Sequence, residues 1–115
     1  MAEASWDGRY LLYSQPGGTG PLFLLNLASG AERKLEECAW SRNLARSRDA
    51  FYYIGCAPGA EQPLYRFEVA SGKRTQLGVL KELSLGIAVS PDGKTILYAR
   101  ENLAGSDLMM IENFR

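Results

Sequence analysis

The stretch Ser90-Pro91-Asp92-Gly93-Lys94-Thr95 recurs in altered form at residues 5–10 (Ser-Trp-Asp-Gly-Arg-Tyr) and 47–52 (Ser-Arg-Asp-Ala-Phe-Tyr). Successive copies begin 42 and 43 residues apart, and Ala-Ser-Gly tripeptides at 28–30 and 70–72 keep the same spacing. The matching positions are mostly turn residues, whose type is dictated by local backbone geometry. A repeat of this length is typical of propeller blades or of helical HEAT and armadillo units.

The pattern inside each repeat favours strands over helices. Short runs rich in β-branched and aromatic residues are bounded by Gly, Pro, Asp and Ser, whereas a helix would need apolar residues every three or four positions. The predicted strands are Tyr10–Tyr13, Leu22–Leu27, Arg33–Leu35, Phe51–Ile54, Leu64–Val69, Arg74–Leu77, Leu85–Val89, Thr95–Tyr98 and Leu108–Asn113. Four antiparallel strands in a repeat of this length make a β-propeller blade.

The turns between the strands agree with this interpretation. Asp7-Gly8 and Asp92-Gly93 each separate two strand runs, which is a strong hairpin signal. The aspartate can accept a hydrogen bond from the backbone two residues further on, and the glycine can take a positive φ. In the middle repeat the position aligned with Gly8 is Ala50, which predicts a turn that tolerates a Cβ atom.

Residues 90–98 (Ser-Pro-Asp-Gly-Lys-Thr-Ile-Leu-Tyr) resemble the signature of TolB-like, WD-repeat-like β-propeller repeats. The resemblance implies an all-β fold, a partial β-propeller of about three four-stranded antiparallel blades whose first and last blades are incomplete. We expect one domain, 1–115, with repeats at approximately 1–40, 41–83 and 84–115. The fold alone says little about function, because propellers serve many roles.

The ending of the chain, residues 106–115, resembles the ending of bacterial multidomain proteins in which such repeats follow other domains. A complete propeller needs about four to eight blades, so we expect the chain to be a C-terminal piece of a longer propeller. A subunit that closes a ring as a homo-oligomer and a curled partial sheet are the alternatives. The missing strand would come from absent sequence, another copy or a partner protein.

Composition excludes several classes of function. Lys+Arg and Asp+Glu both number 13, so a general attraction to nucleic acid or acidic membranes is not expected. The chain has no histidine, which removes Ser-His-Asp catalysis and histidine-based zinc sites. The sequence predicts no enzyme, no cofactor and no metal. It contains no apolar run of membrane-spanning length and no opening signal peptide, which leaves cytoplasm and periplasm both open.

The two cysteines, Cys38 and Cys56, form no metal-binding motif. We predict two half-buried free thiols in strands. A single disulfide in an oxidising compartment is the alternative.

Candidate binding residues lie near the channel mouth and at the rim. Arg42, Arg46 and Arg48 cluster in the strand that should line the channel, where they could meet an acidic partner or phosphate; the alternative is a solvated strand end. Trp6 replaces the proline of the turn signature and could offer a ligand platform, as could Trp40; ordinary packing is the alternative. The repeating aspartates Asp7, Asp49 and Asp92 are assigned to turns and not to a ring of cation ligands.

The function predicted from these features is a non-catalytic interaction or sensing module that binds a protein partner through loops on one face. The alternative is a small oligomeric propeller that binds a carbohydrate or other small ligand between blades, with Trp6 and Trp40 as platforms. A gating propeller associated with a peptidase is the third hypothesis.

Overall fold

The computed structural model describes residues 2–15, 17–81, 83–102 and 105–112. All regular secondary structure in these residues is β-strand. The strands are β1 (Ala2–Ala4), β2 (Tyr10–Ser14), β3 (Thr19–Asn26), β4 (Glu32–Arg46), β5 (Ala50–Gly55), β6 (Glu61–Glu68), β7 (Arg74–Lys81), β8 (Leu83–Val89), β9 (Thr95–Asn102) and β10 (Gly105–Glu112). Every predicted strand is present, although Leu27 and Val69 fall just beyond the ends of β3 and β6, and Asn113 lies outside the described residues.

The strands form two antiparallel sheets that together make three blades. One sheet has the order β1 to β7 in sequence, and the other has the order β10-β9-β8. The first blade is β1, β2, β3 and the beginning of β4; the second is the end of β4 with β5, β6 and β7; the third is β8, β9 and β10. The chain is therefore an all-β partial propeller, as the sequence predicts.

Strand β4 belongs to two blades at once. Its beginning pairs with β3, and its end pairs with β5 through Leu44 opposite Tyr53 and Arg46 opposite Phe51. The pairing with β5 is irregular between Ala39 and Leu44, and such an irregularity allows a strand to bend and twist. The outer strand of the first blade therefore continues as the inner strand of the second, where the sequence predicted two separate strands.

The core lies in two layers between neighbouring blades. Strand β5 contributes to both, because Phe51 and Tyr53 point into one layer while Tyr52 and Ile54 point into the other. These four side chains are fully buried. A strand buried on both faces explains why the sequence run from 51 to 54 is apolar or aromatic throughout and does not alternate with polar residues.

The middle turn differs from the first and the last. In the first repeat the Ser5 N–H donates to the Tyr10 carbonyl at 2.8 Å, whereas in the middle repeat the Ser47 N–H donates to the Ala50 carbonyl at 2.9 Å. The middle turn is thus two residues shorter, and Ala50 begins β5 inside the core, where it is 2% exposed. The prediction that Ala50 occupies the turn position of Gly8 was wrong, because the ungapped alignment ignored this shortening.

The prediction of two free thiols was also wrong. Cys38 in β4 and Cys56, which directly follows β5, form a disulfide with Cα atoms 5.5 Å apart. The neighbouring residues Ala39 and Gly55 pair across the two strands, so the backbone ladder brings the cysteines together. Linear spacing could not reveal this pairing, since it depends on the register of β4 against β5.

Candidate functional site

Three turns lie side by side at one end of the inner strands. They comprise residues 5–9, 47–49 and 90–94, and we call the surface that they form the turn face. The Arg48 N–H donates to the Pro91 carbonyl at 2.9 Å, which joins the second turn to the third. The Arg46 Nη1 donates to the carbonyls of Ala4 at 2.9 Å and Ser5 at 3.3 Å, which joins the second blade to the first turn.

The Asp-Gly turns are built by their own side chains. Asp7 Oδ1 accepts from the Ser5 hydroxyl at 2.8 Å and from the Arg9 N–H at 3.0 Å, while Ser5 Oγ accepts from the Tyr10 N–H at 3.0 Å. The Arg9 N–H and then the Ser5 hydroxyl hold the pKa of the Asp7 carboxyl below its usual range. Gly8 has a φ of 75°. The predicted turn role of Asp7 is confirmed.

The third turn repeats this arrangement. Asp92 Oδ1 accepts from the Ser90 hydroxyl at 2.7 Å and from the Lys94 N–H at 2.9 Å, and Gly93 has a φ of 73°. The carboxylates of the first and third turns are therefore used to order the backbone. Two turns of this kind give the turn face a rigid frame.

Replacing Gly8 with alanine is expected to lower the free energy of unfolding by about 1 kcal/mol, because a side chain disfavours positive φ. A Cβ atom there would meet nothing within 4 Å, so the cost is conformational and not steric. Gly20→Ala is the matched control, since Gly20 lies in β3 with equally open space and no left-handed φ. Urea denaturation of both variants tests this, and an equal loss for the two would contradict it.

Trp6 is the exposed aromatic of the turn face. The residue is 49% exposed, and the guanidinium carbons of Arg46 and Arg48 lie 5.3 Å and 5.6 Å from the centre of its ring. Both distances are within the range of cation–π attraction. The structure therefore brings together three of the predicted site residues from two different blades.

The two arginines are held differently. Arg46 is anchored by the backbone carbonyls of the first turn and by Glu3, whose Oε1 lies 3.4 Å from its Nε. Arg48 is exposed, and among the described residues no carboxylate lies within ion-pairing distance of its guanidinium. Arg48 therefore presents an exposed guanidinium next to an exposed indole ring.

The remaining predicted site residues lie elsewhere. Trp40 is partly buried against the core layer between the second and third blades, and its Nε1 donates to Gln62 Oε1 at 3.3 Å. Ala39, next to Trp40, pairs with Gly55 at one end of β5, whereas Arg46, which contacts Trp6, pairs with Phe51 near the other end. Trp40 and Trp6 thus do not form one platform. The side chain of Arg42 lies outside the part of the chain that the structure describes.

An open cleft of about 590 Å³ runs between the first and second blades, next to Trp6. We call it the interblade cleft, and its lining residues are Asp7, Arg9, Tyr10, Arg48, Asp49, Glu68, Val69 and Ala70. Ser71 and then Arg66 hold the pKa of the Glu68 carboxyl below its usual range, so this side of the cleft stays negative. The cleft thus offers both donors and acceptors to a polar ligand.

A second opening lies between the inner strands. Its volume is about 230 Å³, and its lining residues are Glu3, Leu44, Ala45, Arg46, Ile87, Ala88 and Val89. Leu44 and Arg46 of β4 line this opening together with Ile87 and Val89 of β8. The sequence did not single out Glu3, because its pairing with Arg46 depends on how β1 packs beside β4.

The described residues contain neither a group of three or more Cys, Asp or Glu side chains able to hold a metal ion nor a membrane-spanning helix. No such cluster is present in residues 2–15, 17–81, 83–102 and 105–112. No helix there is long and apolar enough to cross a bilayer.

Similar folds occur among solved structures. TolB from Acinetobacter baumannii superposes with a TM-score of 0.60 and 16% identity over 90% of this chain and 27% of that one. A proposed 6-phosphogluconolactonase from Bacteroides fragilis superposes with a TM-score of 0.56 and 15% identity over 98% of this chain and 37% of that one. The resemblance to TolB-like propellers is confirmed for the fold. The sequence matches no protein-family profile and no curated protein.

Proposed function

We propose that this chain is a non-catalytic propeller module that binds an acidic segment of a protein partner at the turn face. The observation that carries the proposal is the exposed guanidinium of Arg48 over the exposed ring of Trp6. Tryptophan and arginine are the residues that most often dominate protein interfaces. An arginine without a carboxylate partner of its own favours a partner that supplies one.

The rigid frame of the site supports binding without large rearrangement. Arg46 is tied to the Ala4 and Ser5 carbonyls, so the Trp6 turn and the second blade form one platform. Binding to a preorganised surface avoids part of the entropy cost of ordering side chains. The chain spans 27% and 37% of the two matched propellers, and we propose that the module acts within a larger propeller.

The proposal that the module is non-catalytic rests on its chemistry. The chain has no histidine, and the carboxylate of Asp7 is occupied in its turn. The likeness to a proposed lactonase is at 15% identity, which concerns the fold and not the reaction.

Trp6 can report on binding directly. In a Trp40→Phe background it is the sole tryptophan, and we expect a short peptide of alternating glutamate and serine to change its emission on titration. A peptide of lysine and serine should leave it unchanged. Arg48→Ala should weaken binding of the glutamate peptide about tenfold.

Arg33→Ala is the matched control, because Arg33 also lies over an aromatic ring, that of Phe67 at 5.4 Å, but is not one of the residues of the turn face. It should leave the affinity unchanged. Equal binding of the acidic and basic peptides, or equal effects of Arg33→Ala and Arg48→Ala, would refute the proposed site.

A second candidate function is favoured by the interblade cleft. Its volume of about 590 Å³ suits a small ligand, and its lining contains both carboxylates and guanidiniums, which can bind hydroxyl groups. A carbohydrate bound there would contact Tyr10 and lie beside the turn that carries Trp6, whereas Trp40 packs against the core layer between the second and third blades. Quenching of Trp6 by a neutral oligosaccharide, with no response to the glutamate peptide, would favour this function over the first.

A further inference from the structure

We propose that the Cys38–Cys56 disulfide is a redox-controlled clamp on the end of the second blade opposite the turn face. The bond joins β4 to the first residue of the loop 56–60, which connects β5 to β6. It lies beside the irregular part of β4, where regular pairing with β5 is interrupted between Ala39 and Leu44. The disulfide therefore links the two strands beside the segment where their backbone pairing is interrupted.

The loop is also held by the side chain of Gln62. Gln62 Oε1 accepts from the Ala57 N–H at 2.8 Å, and Gln62 Nε2 donates to the carbonyls of Ala57 at 3.0 Å and Gly59 at 2.8 Å. The same Gln62 oxygen accepts from the Trp40 indole at 3.3 Å. A loop, a tryptophan and a glutamine thus form one small cooperative unit anchored by the disulfide.

The disulfide is accessible to a reductant. Cys38 and Cys56 are both partly exposed, whereas Gln62 is only 5% exposed. A small dithiol can attack one sulfur as its thiolate, which breaks the S–S bond and forms a mixed disulfide. Its second thiolate then displaces the protein sulfur. Two electrons and two protons pass to the protein, which leaves two cysteine thiols and an oxidised, cyclic reductant.

The effect of reduction should stay local. Strand β5 is packed on both faces by core layers that include Phe51 and Tyr52, and these contacts do not involve the loop. Without its covalent anchor, the loop 56–60 opens with a lower free energy than the core, as sparsely packed segments generally do. Gln62 then loses its partners in the loop, and the Trp40 indole becomes more exposed to water.

The switch can be read from Trp40 in the full chain. In a Trp6→Phe background, dithiothreitol should shift Trp40 emission to longer wavelength and accelerate amide exchange about tenfold or more in the loop residues 57–60. Exchange in residues 51–54 should stay unchanged. The double variant Cys38→Ser/Cys56→Ser should show the shifted emission without reductant and no further response to it.

Two results would overturn the clamp. Unchanged Trp40 emission and unchanged exchange at 57–60 after verified reduction would show that the loop does not depend on the bond. Loss of protection in residues 51–54 together with the loop would show that the bond holds the whole blade and is not a local switch. The Trp6 site is distant from the clamp, so neither result would bear on binding at the turn face.

Discussion

Replacing Gly55 with valine is expected to lower the free energy of unfolding by about 2–3 kcal/mol. A Cβ atom at this buried position would lie 2.8 Å from Tyr65 Cε2 and 3.3 Å from Pro63 Cγ. The Tyr65 ring cannot move aside freely, because it packs against Tyr53 with ring centres 5.6 Å apart and under the Arg74 guanidinium at 4.4 Å. Overpacking here strains the centre of the second blade. Urea denaturation measures the loss.

Gly78→Val provides the matched control. Gly78 lies in β7 of the same blade, it is exposed, and a Cβ atom there would meet nothing within 4 Å. A β-branched residue suits an exposed strand, so this variant should be as stable as the parent or slightly more stable. Similar losses at both positions would mean that glycine itself, and not the space beside Tyr65, is what the blade requires.

Replacing Glu36 with glutamine is expected to lower the free energy of unfolding by about 2 kcal/mol. Its carboxylate Oε1 accepts from the Tyr53 hydroxyl at 2.8 Å and from Arg74 Nη1 at 2.5 Å. The Glu36 side chain is only 15% exposed and joins the outer strand of the first blade to the second blade. Burial and then the hydrogen bond to Glu36 raise the pKa of Tyr53, so its hydroxyl stays protonated and donates.

The neighbouring residue offers the control. Glu37 is 87% exposed on its side chain and pairs with Lys34 at 3.3 Å on the surface. Surface ion pairs contribute little, so Glu37→Gln should change stability by less than about 0.5 kcal/mol. The two variants remove the same charge from adjacent positions. If the denaturation midpoints of the two variants agree, the contact that Glu36 makes between the blades adds nothing to stability beyond the effect of net charge.

The individual residues of the candidate site could be predicted from the sequence, but the contacts between them could not. Trp6 stood out because it replaces proline in a recurring turn, and Arg46 and Arg48 stood out as a basic cluster on an inner strand. The contact of Trp6 with Arg46 and Arg48 joins the first blade to the second. The hydrogen bond from Arg46 to the Ala4 carbonyl likewise connects residues that are 42 positions apart in the chain. Whether residues so far apart in the chain come into contact depends on how the blades stack. For the same reason the sequence grouped Trp40 with Trp6, although the fold separates them.

The sequence by itself determined the strands, the Asp-Gly turns and the blade repeat. Each of these depends on residues close in the chain: Asp7 bonds to the backbone two residues on, and Gly8 takes the φ that other residues avoid. The alternation of side chains between the two faces of a strand likewise depends only on neighbouring residues. Local physics therefore suffices to recognise a propeller from one sequence.

Only the tertiary structure decided the features that depend on register between strands. The irregular pairing of β4 with β5 places Cys38 beside Cys56 and merges two expected strands into one. The shortened middle turn moves Ala50 from an expected turn into the core. A shift of one or two residues leaves the sequence pattern almost unchanged, yet it changes which side chains meet across the ladder. Those contacts are set by the packing of whole blades.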